Sequence, residues 1–88
     1  MDRRQEAEEL LGADSGAMFA DGWDAAIIGV GQIWGMAPVV VYDTDAIEQA
    51  LIADGWDADD AREYVAFNIT SAYVGPGTPM FARKISGA

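Results

Sequence analysis

Residues 25–43 read AAIIGVGQIWGMAPVVVYD, and their reading decides the fold. Two β-branched runs, AIIGVG (26–31) and PVVVYD (38–43), flank a Gly-containing segment, which is the signature of a β-hairpin. Strict alternation sets Ile28 and Val30 on one face of the first strand and Ile27, Gly29 and Gly31 on the other. In the second strand Val39 and Val41 oppose Val40 and Tyr42. No charge occurs between Asp24 and Asp43, so neither face reads as a solvated one and both are expected to be covered. Glycines inside a strand permit a bulge or a close backbone approach.

Outward from the hairpin the period becomes helical. Asp43-Thr44-Asp45 opens a helix, with Thr44 or Asp45 as cap and a capping-box spacing from Asp45 to Glu48. Ile47, Ala50 and Leu51 form its apolar stripe and Gly55 stops it. Asp57 caps a second helix predicted over 57–74, with three acids in its first turn to complement the helix dipole. Ala61, Tyr64, Val65, Asn68, Ile69 and Ala72 share its apolar face. Gly75-Pro76-Gly77 ends it. Residues 78–84 (TPMFARK) then alternate as a third strand, which Pro79 assigns to a sheet edge.

On the N-terminal side, residues 2–11 read as a short helix, with Ala7, Leu10 and Leu11 on one face and Glu6, Glu8 and Glu9 opposite. Residues 12–22 form a linker anchored by Met18 and Phe19. The order α, β, β, α, α, β defines an α+β fold. It comprises a small antiparallel sheet (hairpin plus edge strand) packed with two helices, plus the short N-terminal helix. Residues 1–21 are the acidic helix and linker, and residues 22–88 a single domain. The sequence ADGWDA occurs twice, at 20–25 and 53–58. A strand run follows the first copy and a helix the second, so turn and capping chemistry accounts for the echo better than a structural repeat does.

The chain has 88 residues, 15 acidic and 5 basic side chains, no histidine and no cysteine, for a net charge of −10. One small domain of this size buries about 60–65% of its unfolded surface. Charge is partitioned along it: −5 over 1–24, zero over 25–42, −7 over 43–63 and +2 over 64–88. Without cysteine there is no disulfide or thiolate site, which fits a reducing cytoplasm. Without histidine the common general base is missing, and Ser15, Ser71 and Ser86 have no base to activate them except Lys84, the only lysine. No apolar run approaches the roughly 20 residues of a membrane span. At −10 the chain repels nucleic acid and anionic lipid and favours basic partners.

The order Asp24-Ala-Ala-Ile-Ile-Gly-Val30, Val39-Val-Val-Tyr-Asp43, Ile47/Leu51, Gly55, Ala61-Arg-Glu-Tyr64, Phe67-Asn68, Ala72-Tyr-Val-Gly75 and Thr78-Pro-Met-Phe81 resembles a group of small phage-encoded proteins. Their shared pattern is DAIIGV…VVYD…EY..FN…AYVG..TP.F. The resemblance covers about two-thirds of the chain and leaves out residues 1–21. It implies a phage protein acting in the host cytoplasm, and carries no activity, cofactor or site residue with it.

The residues give no catalytic set, no metal site and no cofactor site. Asp54-Gly-Trp-Asp57-Ala-Asp59-Asp60 lacks the glycine and terminal glutamate of an EF-hand loop and reads as helix capping. Gly29, Gly31 and Gly35 precede a strand, not the helix a phosphate cradle needs. Two interaction surfaces remain. Glu6, Glu8 and Glu9 offer an acidic face to a basic protein. Ile33, Trp34 and Met36 form an apolar hairpin tip, since aromatics and methionine anchor interfaces. The expected function is a non-enzymatic accessory protein that binds a host macromolecule, such as a basic nucleic-acid-binding protein, with a homodimer compatible with the uncharged hairpin. The alternative is a small-ligand-sequestering protein whose pocket gathers Tyr42, Tyr64, Asn68 and Tyr73. There the amide of Asn68, on an apolar helix face, needs a partner.

Overall fold

The computed structural model describes residues 2–86. Along the chain come α1 (Arg3–Leu11), a 3-10 turn (Asp24–Ala26), β1 (Ile27–Gly31), β2 (Val39–Asp43), α2 (Thr44–Ala53), α3 (Ala58–Asn68) and β3 (Met80–Ala82). The class is α+β, with three helices and one three-stranded sheet in the order β1-β2-β3.

β1 and β2 pair antiparallel, as the hairpin pattern requires, but not in uninterrupted register. Ile27 lies opposite Tyr42 and Gly29 opposite Val41, so Ile28 is an extra residue on β1. Such a bulge resets the alternation. Ile27 and Val30 therefore share the core face with Tyr42 and Val40, while Gly29 and Gly31 share the other face with Val41 and Val39. The strict alternation expected for β1 fails here, and Ile28 is left half-exposed.

β3 runs parallel to β2, with Met80 opposite Val41, Phe81 opposite Tyr42 and Ala82 opposite Asp43. The sheet is thus mixed where an antiparallel one was expected. A parallel neighbour needs a long crossover, and the helical pair α2–α3 supplies it. β3 lies at an edge, directly after Pro79. The strand is three residues long; beyond it Arg83 meets α2 at Asp45 and Glu48, and Lys84 meets Asp43, the end of β2 and cap of α2.

One core joins all the elements. Ala7 of α1, Ala26, Ile27, Val40, Tyr42, Ile47 and Leu51 of α2, and Ala61 and Val65 of α3 are buried together. α1 docks through Ala7, and the Arg3 guanidinium donates to the Ile27 carbonyl at 2.6 Å. Asp2 caps α1 by accepting from the Gln5 N–H. The α2 cap is Asp43, which accepts from the Asp45 N–H, and not Thr44 or Asp45. Glu48 is drawn to Arg83 instead of closing a capping box, and it joins the buried side of α2 while Ala50 stays exposed.

α3 begins at the Asp57 cap as expected and ends at Asn68, six residues before the predicted stop. Asn68, Thr70 and Ser71 each turn a side-chain donor onto the carbonyl four residues back, at Tyr64, Ala66 and Phe67. Such bonding competes with helix continuation. The two ADGWDA copies share a local device. In each, a glycine with positive φ (Gly22 +88°, Gly55 +105°) precedes a tryptophan and then an aspartate that begins a helical segment.

Candidate functional site

The parallel β3 fixes what surrounds the hairpin tip. A strand parallel to β2 must begin at the end where β2 begins, beside the hairpin loop. Residues 69–79 therefore return to that end before β3 starts. Residues 64–82 contain no charged side chain, and neither do residues 25–42. The fold thus brings together two charge-free stretches that are distant in sequence. Between them lies a cleft of about 330 Å³, with Val39 and Met80 in its lining beside Ile33, Met36 and Tyr73.

The hairpin turn presents an aromatic at its corner. The Met36 N–H donates to the Ile33 carbonyl at 2.8 Å, and Gly35 adopts φ +80°. This is the geometry of a turn with glycine at its third position. Trp34 occupies the second position and is 99% exposed. The Gln32 side chain braces the loop by donating from Nε2 to the Met36 carbonyl at 2.7 Å. Ile33 is 64% exposed, Met36 48% and Tyr73 75%. Exposed apolar residues scattered singly are ordinary, whereas a contiguous group rimming a cleft marks a contact surface.

The five cations are all engaged within the chain. Arg83 forms a two-pronged pair with Glu48 (2.7 and 3.2 Å) and also meets Asp45. Lys84 lies 3.4 Å from Asp43. The hydrogen bond to Glu48 is the largest cause raising the Arg83 pKa above its ordinary value, followed among the raising influences by the charges of Glu48 and Asp45. Arg4 sits 4.3 Å from the centre of the Phe19 ring and 3.6 Å from Asp24. Arg62 pairs with Asp59 one turn back, and Arg3 serves the Ile27 carbonyl. Glu6, Glu8 and Glu9 are exposed on α1, with no ion pair found for them among the described residues.

The residues expected to form a ligand pocket do not converge. Tyr42 is fully buried; its ring stacks on Phe81 and its hydroxyl accepts from the Ala20 N–H at 2.7 Å. Burial is the main cause that raises its pKa above the ordinary value. Tyr64 packs edge-on against Trp56, with ring centres 5.0 Å apart. Asn68 is exposed and donates to its own helix at Tyr64, so the expectation of a buried amide is corrected. The buried stripe of α3 is narrow, Ala61 and Val65 with half-buried Ile69 just past the helix end, and Asn68 falls beside it in the last turn. Tyr73 belongs to the apolar cleft, whose lining includes none of Tyr42, Tyr64 and Asn68.

Ile33 and Met36 do come together, beside Val39 of the hairpin and with partners the hairpin pattern alone did not name: Tyr73 and Met80. The signal that could have found them is the second charge-free stretch. It was uninformative without knowing that β3 runs parallel and carries that stretch to the hairpin end.

Among the described residues, no group of three or more acids is arranged to hold a metal ion. No helix among them is long and apolar enough to cross a membrane. Asp57 and Asp59, central to the oxygen-rich segment 54–60, are occupied by the α3 cap and by Arg62. No protein-family model, curated protein or solved structure matches this chain.

Proposed function

We propose that this protein is a non-enzymatic interaction protein, which binds another macromolecule by surface contact. The observation that carries the reading is how the fold sorts its charge. Cations are spent on contacts within the chain, carboxylates are left outward on the helices, and the hairpin turn and the cleft beside it carry no charge. An outward acidic surface selects a partner of opposite charge and speeds its encounter. The partner class we propose is a basic protein, of the kind whose cationic surface otherwise holds nucleic acid. The phage-type resemblance adds the setting: a host protein met in the cytoplasm. The ligand-sequestering alternative draws no support from Tyr42, Tyr64, Asn68 and Tyr73, which line no common pocket: Tyr42 is buried, Asn68 bonds to Tyr64 on the exposed side of α3, and Tyr73 lines the apolar cleft.

The test is retention of host proteins on the immobilised chain at low and high salt. A partner held by the acidic face should be lost as salt rises. It should also be lost at low salt from a Glu6→Gln/Glu8→Gln/Glu9→Gln variant. Retention that is indifferent to both salt and these substitutions sinks the acidic-face reading.

A further inference from the structure

We infer that the uncharged hairpin turn and cleft form a self-association surface, on which Trp34 of one copy enters the cleft formed by Ile33, Met36, Val39, Tyr73 and Met80 of a second copy, and reciprocally. The inference goes beyond the reading above and leaves the acidic helix face available to a foreign partner.

Knob and hole lie on one end of the same molecule. Ile33 lines the cleft, while its neighbour Trp34 stands at the turn corner facing solvent and takes no part in the lining. A surface carrying both features side by side can be self-complementary under a two-fold rotation, because the knob of each copy then meets the hole of the other. The Gln32 and Ile33–Met36 hydrogen bonds already hold the turn. Little further ordering is then needed when the indole is buried, which favours association.

Charge selects a second copy over a basic chain. Every residue of the cleft and the turn comes from the two stretches without charge. A cationic partner finds no carboxylate there to pair with. Two copies of a chain with net charge −10 meet least repulsion where neither presents acids.

Area sits at the lower bound. A buried aromatic contributes about 150–250 Å². Complete burial of the exposed parts of Trp34, Tyr73, Ile33 and Met36 removes roughly 600 Å² per copy, so a pair covers at most about 1,200 Å², the lower bound for a specific interface. A reversible dimer is the expected state.

Sedimentation equilibrium of the purified full chain, from about 1 to 500 µM to span the range of a small interface, reads this directly. The expected result is a monomer–dimer equilibrium, with the tryptophan emission shifting to the blue as dimer forms. Trp34→Ala removes the knob, and Ala37→Arg sets a charged side chain in the cleft, whose lining includes the exposed Ala37. Each should weaken association at least tenfold while leaving circular dichroism and the thermal midpoint near those of the parent. An equimolar mixture of the two variants should associate more tightly than either alone, since one knob and one open cleft survive in the mixed pair. Monomer mass throughout, full dimerisation of Trp34→Ala, or a mixture no tighter than its components would overturn the inference. The Glu6/Glu8/Glu9 variant should dimerise at least as well as the parent; weaker dimerisation would count against this interface. Because the measurement needs no foreign protein, its failure and that of the partner reading are told apart.

Discussion

Tyr42 joins three parts of the molecule through one side chain. Its ring lies in the core against Phe81, and its hydroxyl receives the Ala20 N–H of the segment between α1 and β1. Tyr42→Phe keeps the ring and leaves that N–H without its acceptor, a loss of about 1 kcal/mol, measurable by urea unfolding at neutral pH. The phenol also has a pH signature. Burial raises its folded pKa above the unfolded value of about 10. The unfolded chain therefore releases this proton first as pH rises. Its contribution is fully present below about pH 10 and declines as pH climbs toward the folded pKa. Tyr42→Phe should flatten that alkaline decline. An unchanged slope would assign it to other groups. Arg83 is a second such tie, between the end of β3 and the buried Glu48 carboxylate. Arg83→Ala strands Glu48 and should cost about 1–3 kcal/mol. Glu48→Gln should recover part of that loss in the Arg83→Ala background, and a double-mutant cycle measures the coupling.

At the scale of elements, the segment before β3 is pinned by a close approach to the N-terminal linker. The Met18 N–H donates to the Gly77 carbonyl at 2.9 Å, and a Cβ at position 77 would overlap the Gly16 carbonyl. Gly77→Ala should therefore destabilise by about 1–3 kcal/mol, as overpacking does, and should raise hydrogen exchange at Met18. A neutral effect would show that the linker moves aside freely. Local chemistry made several elements legible in the sequence. The β-branched runs named the hairpin, Asp57 named the start of α3, Gly12 and Gly55 named helix stops, and Pro79 named an edge. Features that depend on distant partners were not legible. The Ile28 bulge reveals itself only through cross-strand register, and it decides which side chains of β1 reach the core. The end of α3 was hidden because Asn68, Thr70 and Ser71 fit a helical pattern until their side chains turn back on it.

For the whole molecule, the direction of β3 is the decisive fact. An antiparallel β3 would set Arg83 and Lys84 beside the hairpin loop. The parallel one sets them beside Asp43, Asp45 and Glu48 and leaves the hairpin turn and its cleft without charge. Composition announced the acidity and the missing histidine, and the tip residues Ile33, Trp34 and Met36 were visible as an exposed apolar group. The cleft beside them was not, because no local signal sets strand direction across a crossover. The outward acids have a stability consequence too. Glu6, Glu8 and Glu9 make no ion pair among the described residues, so their joint change to Gln should leave stability within about 0.5 kcal/mol or raise it by easing self-repulsion. A larger loss in thermal unfolding would mean that these carboxylates hold the fold. Uneven charge also gives the molecule a direction. Near a cationic surface it experiences a torque as well as a pull, and it rotates before it touches. An encounter with a cationic surface is then aligned on the acidic side and its rate depends on ionic strength, whereas a contact between two copies at the uncharged cleft would depend on fit and hardly on salt. The two kinds of contact would draw on different parts of one small chain, so that a change of charge on the helices need not disturb the fit at the cleft.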